Sequence, residues 1–338
     1  MFPVIALIID SYQSSNHMKI SVVVPTYKRP LLLMECIKAL ARQRFSKEEF
    51  EVLVVSDGPD LLTKKVVVSW KHTGLLDIEY IALADRRGPA AARNAGWKVA
   101  SGQLIAFTDD DCLPDEHWLE TLWESAQQHE PCAFAGKVIV PIPPVPTDHE
   151  WNAAQLENAG FATANCACMR SVLEKTGGFD ERFQMAWRED SDLEFSILEK
   201  HIPLEPLPEA IVVHPVRKAP WGVSLYQQKK TMFNALLHKK FPGYYRERIH
   251  AEPPFGYYLM IAGFTGSWLF MLAGNFPVAW ICLGAWLAAL LFFIVKRLWD
   301  TSHSSAHVLE MIVTSALIPF LSVYWYWYGT WKFRRSHV

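Results

Sequence analysis

Three consecutive carboxylates, Asp109 to Asp111, form the first group of residues in this sequence that could do chemistry. They follow the short apolar run Leu104 to Phe107, which is typical of a buried strand. We predict that Pro114 then opens a helix from Asp115 to Gln128, where its missing N–H costs nothing. The acids would lie at the carboxyl end of a strand, where open α/β sheets place their ligands. A divalent cation bridging to a substrate phosphate would relieve their repulsion, and a solvated acidic turn with a helix cap is the alternative.

A second acidic group, Glu189, Asp190 and Asp192, lies at the head of a predicted helix. Helix capping would explain one of these acids but not three. A carboxylate held beside an acceptor hydroxyl can act as a general base. His214 ends the short predicted strand Ala210 to Pro215, and it is either a hydrogen-bonded loop residue or a metal ligand.

The elements that must position these groups alternate between short apolar strands and helical segments. The predicted strands are Ile20 to Pro25, Glu51 to Gly58, Ile78 to Leu83 and Leu104 to Phe107. This alternation indicates a mostly parallel sheet with helices on both faces.

The segment Arg86 to Gly96 contains a predicted helix start at Gly88-Pro89. The free N–H groups of its first turn, together with Arg87 and Arg93, could hold a pyrophosphate. The alternative is a structural helix rich in alanine.

The composition excludes some classes of protein. The net charge of −2 gives no basic field for nucleic acid, so we expect no nucleic-acid partner. The six cysteines lack metal-site spacing, which indicates free thiols in a reducing compartment. The apolar stretch Phe2 to Ile9 is too short to span a bilayer and has no preceding basic residue, so we do not expect a secretory signal.

The last third of the chain is strongly apolar and indicates membrane association. Phe255 to Gly274 and Phe276 to Val295 each approach the length needed to cross a bilayer, and Asn275 and Pro277 would turn the chain into a hairpin. Lys296-Arg297 would then lie on the side of the catalytic domain, in accord with the positive-inside rule.

Two neighbouring segments are harder to assign. Trp221 to His250 is basic and amphipathic, and we predict that it lies on an anionic membrane surface, with an ordinary surface helix as the alternative. Val308 to Trp331 is apolar but contains Pro319 and Glu310, and basic residues from Lys332 onward follow it. It either crosses the membrane against the positive-inside rule, re-enters, or lies in the interface.

Several segments, in order, resemble the family-2 glycosyltransferases, which have the GT-A nucleotide-sugar fold. The matching segments are Ser21–Pro30, Val54–Gly58, Ala91–Gly96, Asp109–Asp111, Gly177–Phe183 and Arg188–Leu193. The resemblance runs from about residue 19 to 215, and several independent motifs make it more specific than any single one.

The resemblance implies roles for individual residues. Asp57 would contact the nucleobase and Asp190 would be the catalytic base. Asp109, Asp111 and His214 would bind Mn²⁺ or Mg²⁺, a mixture of oxygen ligands and one imidazole that suits these ions. The implied donor-binding residues are Pro25, Thr26, Tyr27, Arg29, Asp57, Arg87, Arg93, Asp109 and Asp110. The implied acceptor-side residues are Gly178, Trp187 and Glu189.

Two departures from the family pattern bear on function. The Gln-x-x-Arg-Trp segment of the processive synthases is absent from the sequence, which favours transfer of one sugar per binding event. Ser56 stands where the family usually has Asp, which affects the expected recognition of the base.

The sequence therefore predicts an α/β enzyme with a GT-A domain at 1–220, an interfacial segment at 221–252 and a membrane domain at 253–338, comprising a hairpin at 255–295 and a third apolar segment at 308–331. We expect a metal-dependent inverting glycosyltransferase of the inner membrane, multi-pass, with its catalytic domain in the cytosol. Its donor would be a nucleotide sugar, with UDP-sugar preferred, and its acceptor lipid-linked or saccharide. The alternatives are a nucleotidyltransferase of sugar phosphates and a non-catalytic membrane scaffold that binds nucleotide sugars.

Overall fold

One eight-stranded sheet organises the amino-terminal two thirds of the chain. The computed structural model describes residues 18–128 and 131–334, so that the Phe2 to Ile9 stretch and Arg335 lie outside the described residues. The strands are β1 Ile20–Thr26, β2 Phe50–Ser56, β3 Asp77–Ala82, β4 Leu104–Phe107, β5 Leu113–Pro114, β6 Ala133–Ile139, β7 Cys166–Met169 and β8 Leu204–Val213. Their order in the sheet is β3-β2-β1-β4-β7-β6-β8-β5.

The sheet is mixed: its first half matches the predicted parallel arrangement, and β6 and β8 also pair in parallel. Strands β1 to β4 pair in parallel, as expected for strands joined by helices. Strand β7 is antiparallel to both β4 and β6, and β5 is antiparallel to β8. These later strands are connected by loops and by helices that do not make simple crossovers, which the local sequence pattern does not reveal.

Seven helices cover this sheet. They are α1 Pro30–Ala41, α2 Leu61–Thr73, α3 Pro89–Val99, α4 Trp118–Ala126, α5 Asp148–Ala154, α6 Arg170–Thr176 and α7 Glu189–Glu199. The prediction that Pro114 opens a helix was wrong, because Leu113–Pro114 pairs with Val212–Val213 as an edge strand and α4 begins only at Trp118. Proline is tolerated at such an edge because its position needs no N–H donor.

Helix α3 packs very closely on the sheet, which fixes the residues it carries. A Cβ atom at Gly96 would lie 2.5 Å from Cγ1 of Val23, so glycine is required for this approach. The helix starts as predicted, with Pro89 at its first turn and Gly88 at a φ of 97°. Gly88 is irreplaceable for a second reason, since a Cβ there would lie 2.5 Å from the backbone oxygen of Gln184.

The segment from Trp221 to His250 is not one amphipathic helix. It comprises α8 Val223–Gln227, a 3-10 turn at Gln228–Met232, α9 Phe233–Lys240 and α10 Pro242–Arg248. Its buried apolar side chains form a second core with residues of the catalytic domain and of the carboxyl-terminal helix; the members are Phe183, Phe195, Met232, Phe233, Leu236, Leu237, Phe241, Tyr245 and Phe333. Protein therefore covers the apolar stripe of this segment, and the expectation that the segment lies on an anionic membrane surface stays a prediction.

Three long helices, α11 Phe255–Leu272, α12 Phe276–Leu298 and α13 Ser305–Phe333, are apolar enough to cross a membrane. The first two form the predicted hairpin. In the most apolar 18-residue stretch of each of these helices, only 11% and 6% of the residues are buried. For α13 this share is 33%, and the helix continues through Pro319.

One end of α13 contacts the sheet-containing domain, and the other end contacts the 221–252 segment. Near its start, the backbone N–H of Asp148 donates to Nε2 of His307 at 3.4 Å. At its other end, Phe333 belongs to the second core, and a Cβ at Gly329 would lie 2.3 Å from the backbone oxygen of Met232. These contacts hold both ends of α13 against the rest of the chain, and its arrangement relative to a membrane stays a prediction.

Candidate active site

The loop after β4 separates its three carboxylates into two roles. Asp110 is buried and accepts hydrogen bonds from Thr26 Oγ1 at 2.8 Å and from Arg29 Nη1 at 3.0 Å. It therefore ties this loop to the end of β1, where Pro25 is buried within the strand and Tyr27 follows it. Asp109 and Asp111 are left to face a different group of residues.

That group can hold a metal ion. Asp109, Asp111, Cys112 and His214 each offer one ligand atom, and these atoms all lie within 4.8 Å of one another. The hydrogen bond from the backbone N–H of His214 to the oxygen of Ile139, 2.8 Å long, fixes His214 at the end of β8. Its Nε2 lies 3.6 Å from Asp111 Oδ1.

The donor set fits Mn²⁺ or Mg²⁺. Asp111 Oδ2 is buried without a hydrogen bond and forms an ion pair with Arg217 Nε at 2.8 Å, and Asp111 Oδ1 faces His214. Burial and the neighbouring carboxylates raise the pKa of the Cys112 thiol well above its usual range, which makes it a poor ligand. Two carboxylates and one imidazole remain, the predicted set.

Arg93 joins the two acidic groups that lie far apart in sequence. Its side chain is 2% exposed; Nη2 donates to Asp109 Oδ1 at 2.7 Å and Nη1 donates to Glu189 Oε1 at 3.1 Å. These carboxylates keep the Arg93 pKa above its ordinary value despite burial. Arg93 thus holds two carboxylates through its Nη atoms, while its Nε is buried without a hydrogen-bond partner, and its predicted contact with pyrophosphate stays a prediction.

Asp57 and Arg87 meet at the end of β2. Asp57 accepts hydrogen bonds from the backbone N–H groups of Arg87, at 2.6 Å, and Gly88, at 3.0 Å. These two N–H groups belong to the residues just before α3, which begins at Pro89, and phosphate binding by the first turn of α3 stays a prediction. The Arg87 side chain turns instead to Glu181, with 2.5 Å between Nη2 and Oε2. A surface for a flat ring remains nearby, where the Arg86 guanidinium lies 4.3 Å from the Tyr27 ring centroid.

The predicted base, Asp190, lies in the first turn of α7. Burial raises its pKa, and the hydrogen bond from the backbone N–H of Ser191 to Oδ1, 2.7 Å long, partly opposes this effect. Burial and the charge of Asp190 raise the pKa of Glu189 to about 7. Oε2 of Glu189 is buried without a hydrogen-bond partner. A carboxylate with a raised pKa is a stronger proton acceptor, which suits a general base.

The other two acceptor-side residues lie in different surroundings. Gly178 has a φ of 74°, and a Cβ there would lie 2.6 Å from Trp97 Nε1, so its contacts are with α3. Trp187 lies directly before the acidic turn and donates from Nε1 to Asn234 Oδ1 at 2.9 Å.

Sequence reasoning missed three cations close to these carboxylates: Arg188, Arg217 and Lys230. Arg217 follows His214 by three residues and Arg188 directly precedes Glu189, so proximity in sequence was an available signal for both. Lys230 comes from a separate segment, and no sequence pattern connects it to the acidic turn.

Several known proteins are similar to this chain in sequence or in fold. The model of the family described as Glycosyl transferase family 2 matches residues 21–178. Glycosyltransferase AglE of Haloferax volcanii is 35% identical over 101 residues, which cover 30% of this chain and 33% of that protein. The poly(ribitol-phosphate) β-N-acetylglucosaminyltransferase TarS of Staphylococcus aureus is 36% identical over 94 residues, 28% of this chain and 16% of that protein. The matched segments thus span a third or less of these relatives.

Among solved structures, the mannosyltransferase PcManGT from Pyrobaculum calidifontis, in complex with GDP-Man and Mn²⁺, superposes with a TM-score of 0.54 at 20% identity. The match covers 89% of this chain and 87% of that one. At this identity, the likeness establishes a shared fold.

Proposed function

We propose that the protein is a membrane-anchored, metal-dependent, inverting glycosyltransferase. The premise is that this chain carries a glycosyl transferase family 2 domain with the predicted GT-A fold. The enzyme would move one sugar from a nucleotide sugar to a lipid-linked or saccharide acceptor in cell-surface glycan synthesis. One observation carries the proposal: Arg93 holds Asp109 of the metal group and Glu189 of the base segment together. A nucleotide sugar bound at the first would have its anomeric carbon near the second.

On the donor side, residues at the ends of β1 and β2 would hold the nucleoside. Tyr27 and Arg86 offer a flat surface, and Asp57 is fixed beside them by two backbone N–H groups. A metal held by Asp109, Asp111 and His214 would supply charge neutralisation for the departing nucleoside diphosphate. UDP-sugar is the preferred donor, and a GDP-sugar is the alternative because PcManGT was solved with GDP-Man.

On the acceptor side, Asp190 would take the proton of the attacking hydroxyl. The acceptor oxygen forms a bond to the anomeric carbon while the bond from that carbon to the diphosphate oxygen breaks. A single displacement inverts the configuration and needs one base and no covalent carboxylate intermediate. Burial supports this role, since it raises the Asp190 pKa.

The three apolar helices support an anchored enzyme. We propose a multi-pass protein of the inner membrane with a cytosolic catalytic domain at 1–220 and a membrane domain at 253–338, joined by 221–252. An apolar acceptor would explain the anchor, because extracting a polyprenyl chain costs about 0.8 kcal/mol per CH₂.

Purified full-length protein in lipid nanodiscs, with radiolabelled UDP- and GDP-sugars and Mn²⁺, tests the proposal. We expect release of nucleoside diphosphate and label in the lipid or saccharide fraction, with turnover lower by about 10²- to 10⁴-fold in Asp190→Asn. Formation of a nucleoside triphosphate from pyrophosphate would indicate a nucleotidyltransferase. Donor binding without turnover in the presence of an active membrane extract would indicate a scaffold.

A further inference from the structure

Two cations lie on the same aromatic ring beside the proposed base. Lys230 Nζ lies 4.3 Å from the centroid of the Trp187 ring, and Arg188 Cζ lies 4.6 Å from it. Both cationic side chains are half-buried. Each gains a cation–π contact from the ring, but their like charges oppose this arrangement.

Neither cation has an acidic partner. In the part of the chain that the structure describes, no carboxylate oxygen lies within 4.0 Å of Lys230 Nζ or of the Arg188 guanidinium. The contrast with Lys240 is direct, since that side chain pairs with Asp180 at 2.8 Å and with Asp192 at 2.5 Å. The charges of Glu189 and Asp190 act on Lys230 and Arg188 only from beyond contact distance. A cation withdrawn from water without a direct ion pair is unfavourable, so the arrangement favours binding of an anion.

The protein nevertheless holds these groups in place. Asn234 is buried, and its Oδ1 accepts from Trp187 Nε1 at 2.9 Å and from Arg188 Nε at 3.0 Å. Arg188 has a φ of 74°, a left-handed conformation that is uncommon for a residue other than glycine. Such strain persists where the surroundings fix it, and it clusters at ligand sites.

The electrostatics of the two cations agree with this geometry. Burial lowers the pKa of Lys230, and the charges of Arg188 and Arg217 lower it further, whereas Glu189 acts in the opposite direction. Burial also lowers the pKa of Arg188. An anion bound between them would reverse both effects.

A cavity of about 190 Å³ adjoins Trp187 and connects it to the membrane helices. Thr231, Asn234 and the carboxylate of Glu252 line it on the side of the 221–252 segment. Tyr257 of α11 and Ser322 and Tyr326 of α13 line the other side. An acceptor that enters between these helices would meet the cation pair before it reaches the acidic turn of α7.

We infer that Trp187, Arg188 and Lys230 form a binding site for the phosphate or diphosphate of a prenyl-linked acceptor, whose chain leaves through the cavity between α11 and α13. This inference rests on the proposed function and names the chemistry of its acceptor. The phosphate anchors the acceptor and does not react, and the sugar hydroxyl that it carries lies toward Asp190.

Calorimetry on the full-length protein in detergent tests the site without requiring turnover. The probes are farnesyl diphosphate, farnesol as the uncharged control, inorganic pyrophosphate, and UDP or GDP with Mn²⁺. The variant Lys230→Met keeps the apolar stem and removes the charge. Lys229→Met is the matched control, because the adjacent Lys229 is exposed. Lys230→Arg tests whether charge alone restores binding.

We expect Lys230→Met to weaken farnesyl diphosphate binding by about 10- to 100-fold, the range for losing one charged hydrogen bond. Binding of the nucleoside diphosphate should stay within about two-fold of the wild type, and Lys229→Met and Lys230→Arg should bind both ligands nearly normally. Equal loss of nucleotide and farnesyl diphosphate would overturn the inference, because the anion would then be the donor's. Unchanged farnesyl diphosphate binding, or binding of pyrophosphate as tight as that of the prenyl compound, would also overturn it. Failure of the proposed function would show separately, as absent turnover in the nanodisc assay.

Discussion

The proposed donor and acceptor halves of the site differ in how their charges are compensated, apart from Asp111 Oδ2 of the metal group, which is buried without a hydrogen bond and pairs with Arg217. On the donor side, Asp57 receives two backbone N–H groups and Asp110 receives Thr26 and Arg29. On the acceptor side, Glu189 Oε2 is buried without a partner. The cations Arg188 and Lys230 are also without carboxylate contacts in the described part of the chain.

This difference indicates that the two halves bind their ligands in different ways. Fixed and compensated dipoles hold a ligand with little reorganisation, which is what precise placement of the donor needs. Uncompensated buried charges are costly alone and become favourable when a ligand of the opposite charge, or a proton, arrives. Arg93 connects the two halves, because it forms an ion pair with one carboxylate of each.

The largest expected effect comes from the metal group. Asp111→Asn removes a ligand charge, and we expect turnover to fall by at least about 10³-fold, since a metal ion contributes several kcal/mol to stabilising the leaving charge. Asp115→Asn, at an exposed carboxylate four residues on, serves as the control. The measurement is initial rate against Mn²⁺ concentration. Full activity of the Asp111 variant in EDTA would exclude the proposed metal role.

A slightly smaller loss is expected on the acceptor side. Asp190→Asn should reduce turnover by about 10²- to 10⁴-fold, as for removal of a general base, while nucleotide affinity stays within a few-fold. Calorimetry with the nucleoside diphosphate and Mn²⁺ measures whether the nucleotide affinity is retained. If nucleotide binding disappears together with turnover, Asp190 belongs to the donor half, and the proposed division between donor and acceptor halves is contradicted.

A third effect concerns stability and pH. The folded-state pKa of Glu189 is raised from 4.5 to about 7, so the folded protein binds this proton more tightly than the unfolded chain. Its contribution is fully present below pH 4.5 and is lost as pH rises toward 7. Relative to the wild type, Glu189→Gln should therefore gain about 2–4 °C in melting temperature between pH 5 and pH 7.5. The control is Glu199→Gln, at an exposed residue on the same helix, which should show no such trend. If the melting temperatures of all three proteins change with pH in the same way, the assignment is contradicted.

The sequence predicted the donor half better than the acceptor half, for a physical reason. Strand ends such as Asp57 and Asp111 follow from local apolar runs, because parallel strands bring their carboxyl ends to one edge. Arg188 and Lys230 meet only because the second core folds the 221–252 segment back onto α7, and that depends on contacts over long sequence distances. Burial of the apolar face of this segment depends on the same long-range contacts, which the local sequence pattern does not show.

Arg87 is the residue where resemblance and geometry disagree most sharply within the donor half, and it carries the smallest expected effect. The resemblance implies a contact with the diphosphate, whereas its exposed guanidinium contacts Glu181. If the observed pair persists with donor bound, Arg87→Met should change nucleotide affinity by less than about three-fold, because exposed ion pairs contribute 1 kcal/mol or less. Glu181→Gln and the double variant complete a mutant cycle that isolates this pair from other effects. A loss of ten-fold or more in nucleotide affinity for Arg87→Met, unaffected by Glu181→Gln, would show that Arg87 leaves its partner for the diphosphate. The donor half would then also hold a charge that only the substrate compensates, and the distinction between the two halves would no longer hold.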